Sequence, residues 1–208
     1  GNEDNAVDYD YDKQNCILGT TDIMLDQMMY SVAAEQVLNG IGSGTVEEQT
    51  KNLSQALKAM DEMMTLFYQH KGLSNAEGAT AKDKLPSQHL NIRYHRMFGT
   101  AFMYAGGNHI GIEWGSIPIV GSARPVVRDE NGKHISGQYF GWGIAHEIGH
   151  IINEGAYAVA EVTNNYYSIL AQAKDTNDSV RFKYEDAYRK VTSGTKGGSS
   201  DQLGDRKS

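Results

Sequence analysis

With 208 residues, 39% of them hydrophobic, the chain carries enough apolar material for one compact domain with its own core. Nineteen basic against 26 acidic residues give a formal charge of −7, and no basic run interleaves with aromatics, which argues against nucleic acid and anionic membrane surfaces. No apolar stretch approaches the ~18 residues of a membrane span, so membrane insertion is not expected, and the single Cys16 excludes an internal disulfide.

Residues 1–15 are acidic and expected to be loose, and the start at Gly1 without a visible signal peptide fits a processed or excised domain. Asp8-x-Asp10-x-Asp12 has the spacing of a calcium loop. Lys13 stands where the turn glycine belongs and Gly19 where the closing Glu belongs, so no calcium site is expected. Cys16, beside Ile17 and Leu18, reads as a small core residue. A first helix is expected from about Thr21 to Leu38, closed by Asn39-Gly40, with a flexible link to Gly44. Thr45-Val46-Glu47-Glu48 is a capping box that opens a second helix to about His70. Leu53, Leu57, Met60, Met64 and Phe67 share one face of it, and Gly72 stops it.

Short apolar runs broken by glycine follow: Ala101–Ala105, His109–Trp114, Ile117–Val120 and Pro125–Arg128 are expected to be strands. His95 and His109 read as surface residues of these elements. The next element, Gly143 to Ile152, is apolar almost all round and therefore a buried helix. It contains His146-Glu147-Ile148-Gly149-His150. On a helix His146 and His150 lie one turn apart and can grip one metal ion together, with Glu147 beside it as a base. Three ionisable groups within five residues of a buried helix are costly unless paired or metal-bound. That spacing is the signature of a zinc-dependent peptide hydrolase.

A catalytic zinc usually has three protein ligands and one open position. A metzincin would continue with Gly and a third His, but those positions are Asn153 and Ala156. Glu154 would point past the metal. Gly155 looks like a helix C-cap, after which a helix is expected from about Tyr157 to Lys174. On it Glu161, Asn165, Ser168 and Gln172 form a polar stripe, against an apolar remainder that includes Val159, Val162, Tyr166 and Ile169. Glu161 is thus expected as third ligand of a single zinc ion. Asn165, one turn on, is expected to fix the tautomer of a zinc histidine, with Asn164 as its substitute. Helices, a small sheet, then two zinc-bearing helices make an α+β fold.

His-Glu-Ile-Gly-His, a helix break and Glu161-Val162-Thr163-Asn164-Asn165 resemble the enhancin-like metallopeptidases, metallopeptidase family 60, a branch of the gluzincins. Met103 to Ile112, Thr21 to Leu25 and Gly141-Trp142-Gly143 also have counterparts there, so the resemblance runs from about Cys16 to Ala173. It implies a zincin-like catalytic domain over residues 16–192 and a secreted or cell-surface bacterial enzyme. It further implies cleavage of mucin-type O-glycoproteins beside a glycosylated Ser or Thr, through a zinc-bound water activated by Glu147. Two departures stand out: the spacer between His150 and Glu161 is short, and residues 193–208 form a low-complexity tail that reads as disordered or as a cut. The catalytic domain can therefore be truncated at its C-terminal end.

The expected partner is a glycoprotein or glycopeptide, held as an added strand along Met103–Ile112, with Gly106-Gly107 leaving room for a sugar-bearing residue. Asn108 and His109 on that segment, and Trp142 before the first histidine, are candidate substrate contacts; Trp142 has the shape to stack on a sugar or to pack in the core. Tyr157, Tyr166, Tyr184 and His109 are candidates for holding the oxyanion. Two other readings remain: a weak or inactive glycan- or peptide-binding module on the same fold, and a purely structural metal site. Glu147 separates them from the enzyme, because neither needs a base beside the metal.

Overall fold

The computed structural model describes residues 19–97, 99–139, 141–153, 155–175 and 183–193. The calcium-like spacing, Cys16, Glu154 and the tail from residue 194 lie outside these.

The expected helix from Thr21 is a strand pair instead. Strands β1 (Thr20–Met24) and β2 (Met28–Ala33) run antiparallel, and only the last part of the segment is helical, as α1 (Ala34–Ile41). Met28, Tyr30 and Val32 are buried at every second position, so a period of two won over the helical reading. Gly40 lies inside α1, where a Cβ would meet the Pro118 carbonyl oxygen at 1.9 Å. The helix ends one residue beyond it, with Gly42 at φ 93° as its cap.

Helix α2 (Val46–His70) matches expectation. Thr45 Oγ1 accepts from the Glu48 backbone N–H at 3.2 Å, and Glu48 Oε2 accepts from the Thr45 N–H at 2.8 Å. Its buried face adds Ala56, Ala59, Met63 and Tyr68 to the five expected residues.

Strands β3 (Leu90–Tyr94), β4 (Met103–Gly106) and β5 (His109–Ile112) complete a five-stranded sheet in the order β1-β2-β3-β5-β4. β2, β3 and β5 are parallel; β4 returns antiparallel to β5 as the edge strand. Met103–Ile112 is thus a hairpin turned at Gly107 (φ 59°), not one strand, and only Met103–Gly106 offers an edge. Ile117–Val120, expected as a strand, enters α3 (Pro118–Ser122) instead. Pro118 stands at the first helical position, where its fixed φ and missing N–H favour a helix start. Strands β6 (Arg124–Arg128) and β7 (His134–Gln138) form a separate hairpin.

One sheet face, made by Met28, Tyr30, Val32, Leu90, Ile92, Ile110 and Ile112, belongs to a single core with Met60, Met63, Met64 and Phe67 of α2. Helix α4 (Trp142–Ile152) adds Ile144 and Ile148, and α5 (Asn165–Asp175) adds Tyr167 and Ala171. The hairpin β6–β7 anchors the far end of α5. Arg128 Nη2 donates to the Ala173 carbonyl at 3.1 Å, and Asp175 Oδ1 accepts from the Tyr139 N–H at 2.7 Å. A last helix, α6, spans Tyr184–Ser193. No helix among the described residues is long and apolar enough to cross a membrane.

Candidate metal centre

Helix α4 sorts its residues sharply. Ile144, Ala145, Ile148, Gly149 and Ile152 are buried, while His146, Glu147 and His150 are half-buried on the remaining face. The one-turn spacing brings the two imidazoles edge to face, with centroids 4.8 Å apart. The helix ends at Ile152, with Asn153 rather than Gly155 as its cap.

Glu161 is not on a helix. Residues 155–164 are coiled into turns, and α5 starts only at Asn165. Thr163 drives this: its Oγ1 accepts from the Val159 N–H at 3.0 Å and from Asn153 Nδ2 at 3.1 Å, bonds that compete with helix formation. Val159 and Tyr166, expected on a broadly apolar face, are exposed. The expected polar stripe does face protein. Ser168 Oγ donates to the Trp142 carbonyl at 3.1 Å, and Gln172 is buried.

The turn carries the Glu161 carboxylate onto the histidines. Its Oε1 lies 3.0 Å from His150 Nε2 and its Oε2 lies 3.1 Å from His146 Nε2, with the Glu side chain 70% exposed. His146 Nδ1 lies 2.7 Å from Asn165 Oδ1, a contact that needs the ring proton on Nδ1 and leaves a lone pair on Nε2. With the ring neutral, Nε2 and the carboxylate oxygen 3.1 Å away are two donor atoms that one cation could bridge. These three residues could hold one metal ion, and two imidazoles with one carboxylate are the donor set of an open, four-coordinate site. Asn165 Nδ2 donates to the Glu161 carbonyl at 2.7 Å, so a single amide joins one histidine to the turn bearing the carboxylate.

Glu161 holds φ at 61°, the one described non-glycine residue in the left-handed region. Replacing it should therefore separate backbone from side chain. Glu161→Gly and Glu161→Ala both lose the carboxylate and should both bind metal weakly. The Gly variant should be about 1 kcal/mol more stable than the Ala variant, because alanine keeps the left-handed penalty. Paired thermal melts and metal titrations check both parts; an Ala variant as stable as Gly would show that the turn carries no strain.

Glu147 sits beside the edge strand. Burial, the largest influence, raises its carboxyl above the usual range, and Glu161 adds to this; His146, His150 and a hydrogen bond from the Ala105 backbone oppose it. The Ala105 contact ties Glu147 to β4, and nothing in the sequence pattern signals it.

The candidate substrate contacts are placed elsewhere. Asn108 lies in the β4–β5 turn and donates from Nδ2 to the His89 carbonyl at 2.8 Å. His109 is on the sheet face opposite Ile110; its Nε2 lies 2.8 Å from Arg93 Nη2 and 3.1 Å from the Tyr104 hydroxyl. Trp142 opens α4, half-buried, one turn before His146. Tyr157 is 82% exposed, and the Tyr166 hydroxyl bonds His70 Nδ1 at 2.8 Å. The side chain of Tyr184 lies outside the described residues.

Glycine at 149 makes the whole assembly possible. A Cβ there would lie 2.4 Å from the Asn164 carbonyl oxygen and 2.8 Å from its Cα, so the turn presses directly on the α4 backbone. Sequence reading passed over Gly149 because the metal-binding pattern accepts any residue there.

A helix with two histidines and a base, closed by a carboxylate from the next turn, is the arrangement of a metal-dependent hydrolase. The sequence model of the family peptidase M60, enhancin and enhancin-like, matches residues 43–203, and the chain belongs to that family of metallopeptidases. The M60 catalytic domain of Clostridium perfringens ZmpC, solved with the sialyl T antigen, has a similar fold at 17% identity and a TM-score of 0.59, over 85% of this chain and 30% of that one. The ZmpB protein of the same organism, solved as its M60 catalytic domain with two CBM51 domains, gives 18%, 0.58, 83% and 15%. A functionally unknown conserved protein from Bacillus anthracis gives 17%, 0.61, 92% and 38%. The chain thus spans well under half of each of these structures. No curated protein sequence matches it.

Proposed function

We propose that this chain carries the centre of a zinc-dependent endopeptidase with a zincin-like, gluzincin-type fold, acting on extracellular glycoproteins. The observation that carries this reading is the convergence of His146, His150 and Glu161, with Glu147 on the same helix and bonded to the edge strand. Imidazole and carboxylate ligands suit zinc, which when bound acidifies a water and polarises the scissile carbonyl. The Glu147 carboxylate takes the proton of the attacking water and returns it to the leaving amine nitrogen. Its raised basicity, set by burial, fits that task at neutral pH. Asn165 keeps the His146 lone pair aimed at the ion by holding the opposite ring proton. The substrate main chain adds as a strand to the β4 edge, beside Glu147.

Three considerations point to mucin-type O-glycoproteins cut beside a glycosylated Ser or Thr: the family, the ZmpC structure with its glycan, and the open space at Gly107 beside the edge. Such a substrate implies an enzyme that works outside the cell or on its surface, and the family resemblance adds a bacterial source. The test is digestion of matched glycosylated and bare mucin peptides, with cut sites read by mass spectrometry. Cleavage of the glycosylated peptide alone is expected. Equal rates on both would leave a zinc peptidase and remove the glycan requirement; binding without any cut would favour the inactive module.

A further inference from the structure

The sheet has a second face, turned away from the core and the metal centre. Asp22, Ser31, Arg93, Gly111 and Tyr104 stand in one row across it, strand by strand. Tyr104 belongs to the edge strand β4, and its ring lies over β5 at Gly111, where a Cβ would meet it at 2.0 Å. Arg93 Nη2 donates to His109 Nε2 at 2.8 Å, and the Tyr104 hydroxyl lies 3.1 Å from the same nitrogen. His95 meets the Tyr104 ring edge to face, with centroids 5.4 Å apart.

This arrangement leaves a positive charge on offer. A guanidinium only donates, so His109 Nε2 accepts through its lone pair and the ring is neutral, with its proton on Nδ1. Desolvation, with Arg93 and His95 beside it, holds the His109 pKa below the usual histidine value, in keeping with that. Arg93 thus keeps its full charge, is steered by one ring nitrogen, and has further N–H donors to give. Among the described residues no carboxylate pairs with it. Asp22 is in the same row but two strands away, beyond Ser31, which is roughly 10 Å at the usual strand spacing. Glu113, close enough to His95 to feel its charge, has its oxygens on the Met97 and Trp114 N–H groups. In a chain of formal charge −7, Arg93 is exposed, held in place and without a carboxylate, which suits it to an incoming anion.

Reach decides which anion. A substrate strand on the outer edge of β4 lies three strand spacings from β3, roughly 14 Å. Every second residue of that strand faces the Tyr104 side of the sheet. An Asp or Glu side chain there is far too short to meet Arg93, whereas a chain of a few sugars is long enough.

We propose that Arg93, steered by His109 and flanked by Tyr104, binds the carboxylate or sulfate ester of an acidic sugar carried by the substrate on this face. The proposal rests on the reading of β4 as the substrate edge. Recognition of charge and cleavage of the peptide bond then lie on opposite faces of the sheet, so they can be measured apart. The probes are matched O-glycopeptides whose terminal sugar is uncharged, carboxylate-bearing or sulfated, with inorganic sulfate and a bare Asp-containing peptide alongside. Binding to the full chain is measured after zinc is stripped with chelator, so that nothing is cut, for wild type and Arg93→Gln.

Both acidic glycopeptides should bind at least ~5-fold more tightly than the uncharged one, and Arg93→Gln should abolish the difference. In wild type the His109 and Tyr104 ring NMR signals should shift with the acidic glycopeptides and not with the uncharged one. That measurement decides the matter should Arg93→Gln fail to fold. Equal binding of all three glycopeptides, a preference that survives in Arg93→Gln, or unmoved ring signals would overturn the proposal. So would inorganic sulfate or the Asp peptide binding as tightly as the acidic glycopeptides, since the site would then take a free anion or an acidic side chain. Failure of every glycopeptide to bind would remove the edge-strand reading and this proposal with it. Cleavage by the zinc-loaded protein is scored separately: an inactive protein that keeps the preference loses the peptidase reading and retains the sugar site.

Discussion

Glu147→Gln is expected to lower turnover by at least ~100-fold while leaving the fold and zinc binding in place. The substitution keeps the shape, and the Gln oxygen can still accept the hydrogen bond from Ala105. It removes the carboxylate that, in the proposed mechanism, takes a proton from the attacking water. Stability should not fall at neutral pH. A carboxyl raised on folding contributes stability below its unfolded pKa and loses it as pH rises through the folded value, so the ionised Glu147 is a cost that Gln lacks. Single-turnover rates, a zinc titration and a thermal melt at pH 7 together check this. Near-normal turnover would sink the mechanism; loss of zinc would mean that Glu147 supports the metal rather than the proton.

The second large effect falls on a residue with no chemistry. Gly149→Ala should cost about 3 kcal/mol, the upper part of the range for overpacking, because both surfaces in contact are backbone and neither can rotate away. Relief requires moving the turn that carries Glu161, Asn164 and Asn165, so zinc affinity should drop by roughly 10–100-fold as well. Gly155→Ala is the control: nothing lies within 4 Å of a Cβ there, and a change within ±0.5 kcal/mol is expected. Denaturant melts and zinc competition on the two variants decide it. A Gly149→Ala protein with wild-type stability and affinity would show that the close approach is not what holds the turn.

How legible the chain was depended on how local each cause is. The capping box at Thr45 and Glu48, the Met-rich face of α2 and the one-turn spacing of His146 and His150 all act within a few residues, and each stands where its pattern placed it. Ambiguity lay in Thr21–Leu38, where apolar residues are dense enough to satisfy either period. Pairing with β3 resolved it, and β3 lies about sixty residues further on. Glu161 shows both sides of the matter in one residue. Its side chain reaches the two histidines as expected, but from a left-handed turn rather than a helix. Apolar spacing over Tyr157–Lys174 could not register the hydrogen bonds of Thr163 to Val159 and Asn153 that break the helix.

By itself, then, the sequence determined the chemistry on α4, because one helix turn brings i and i+4 together whatever surrounds it. The Asn165 amide beside His146 was within reach of the pattern too, but only the tertiary structure decided two other contacts from outside the helix: the Ala105 N–H from the edge strand, and the Asn164 backbone against Gly149. Each depends on two segments pressing together, and a contact between surfaces leaves no periodic mark in either of them.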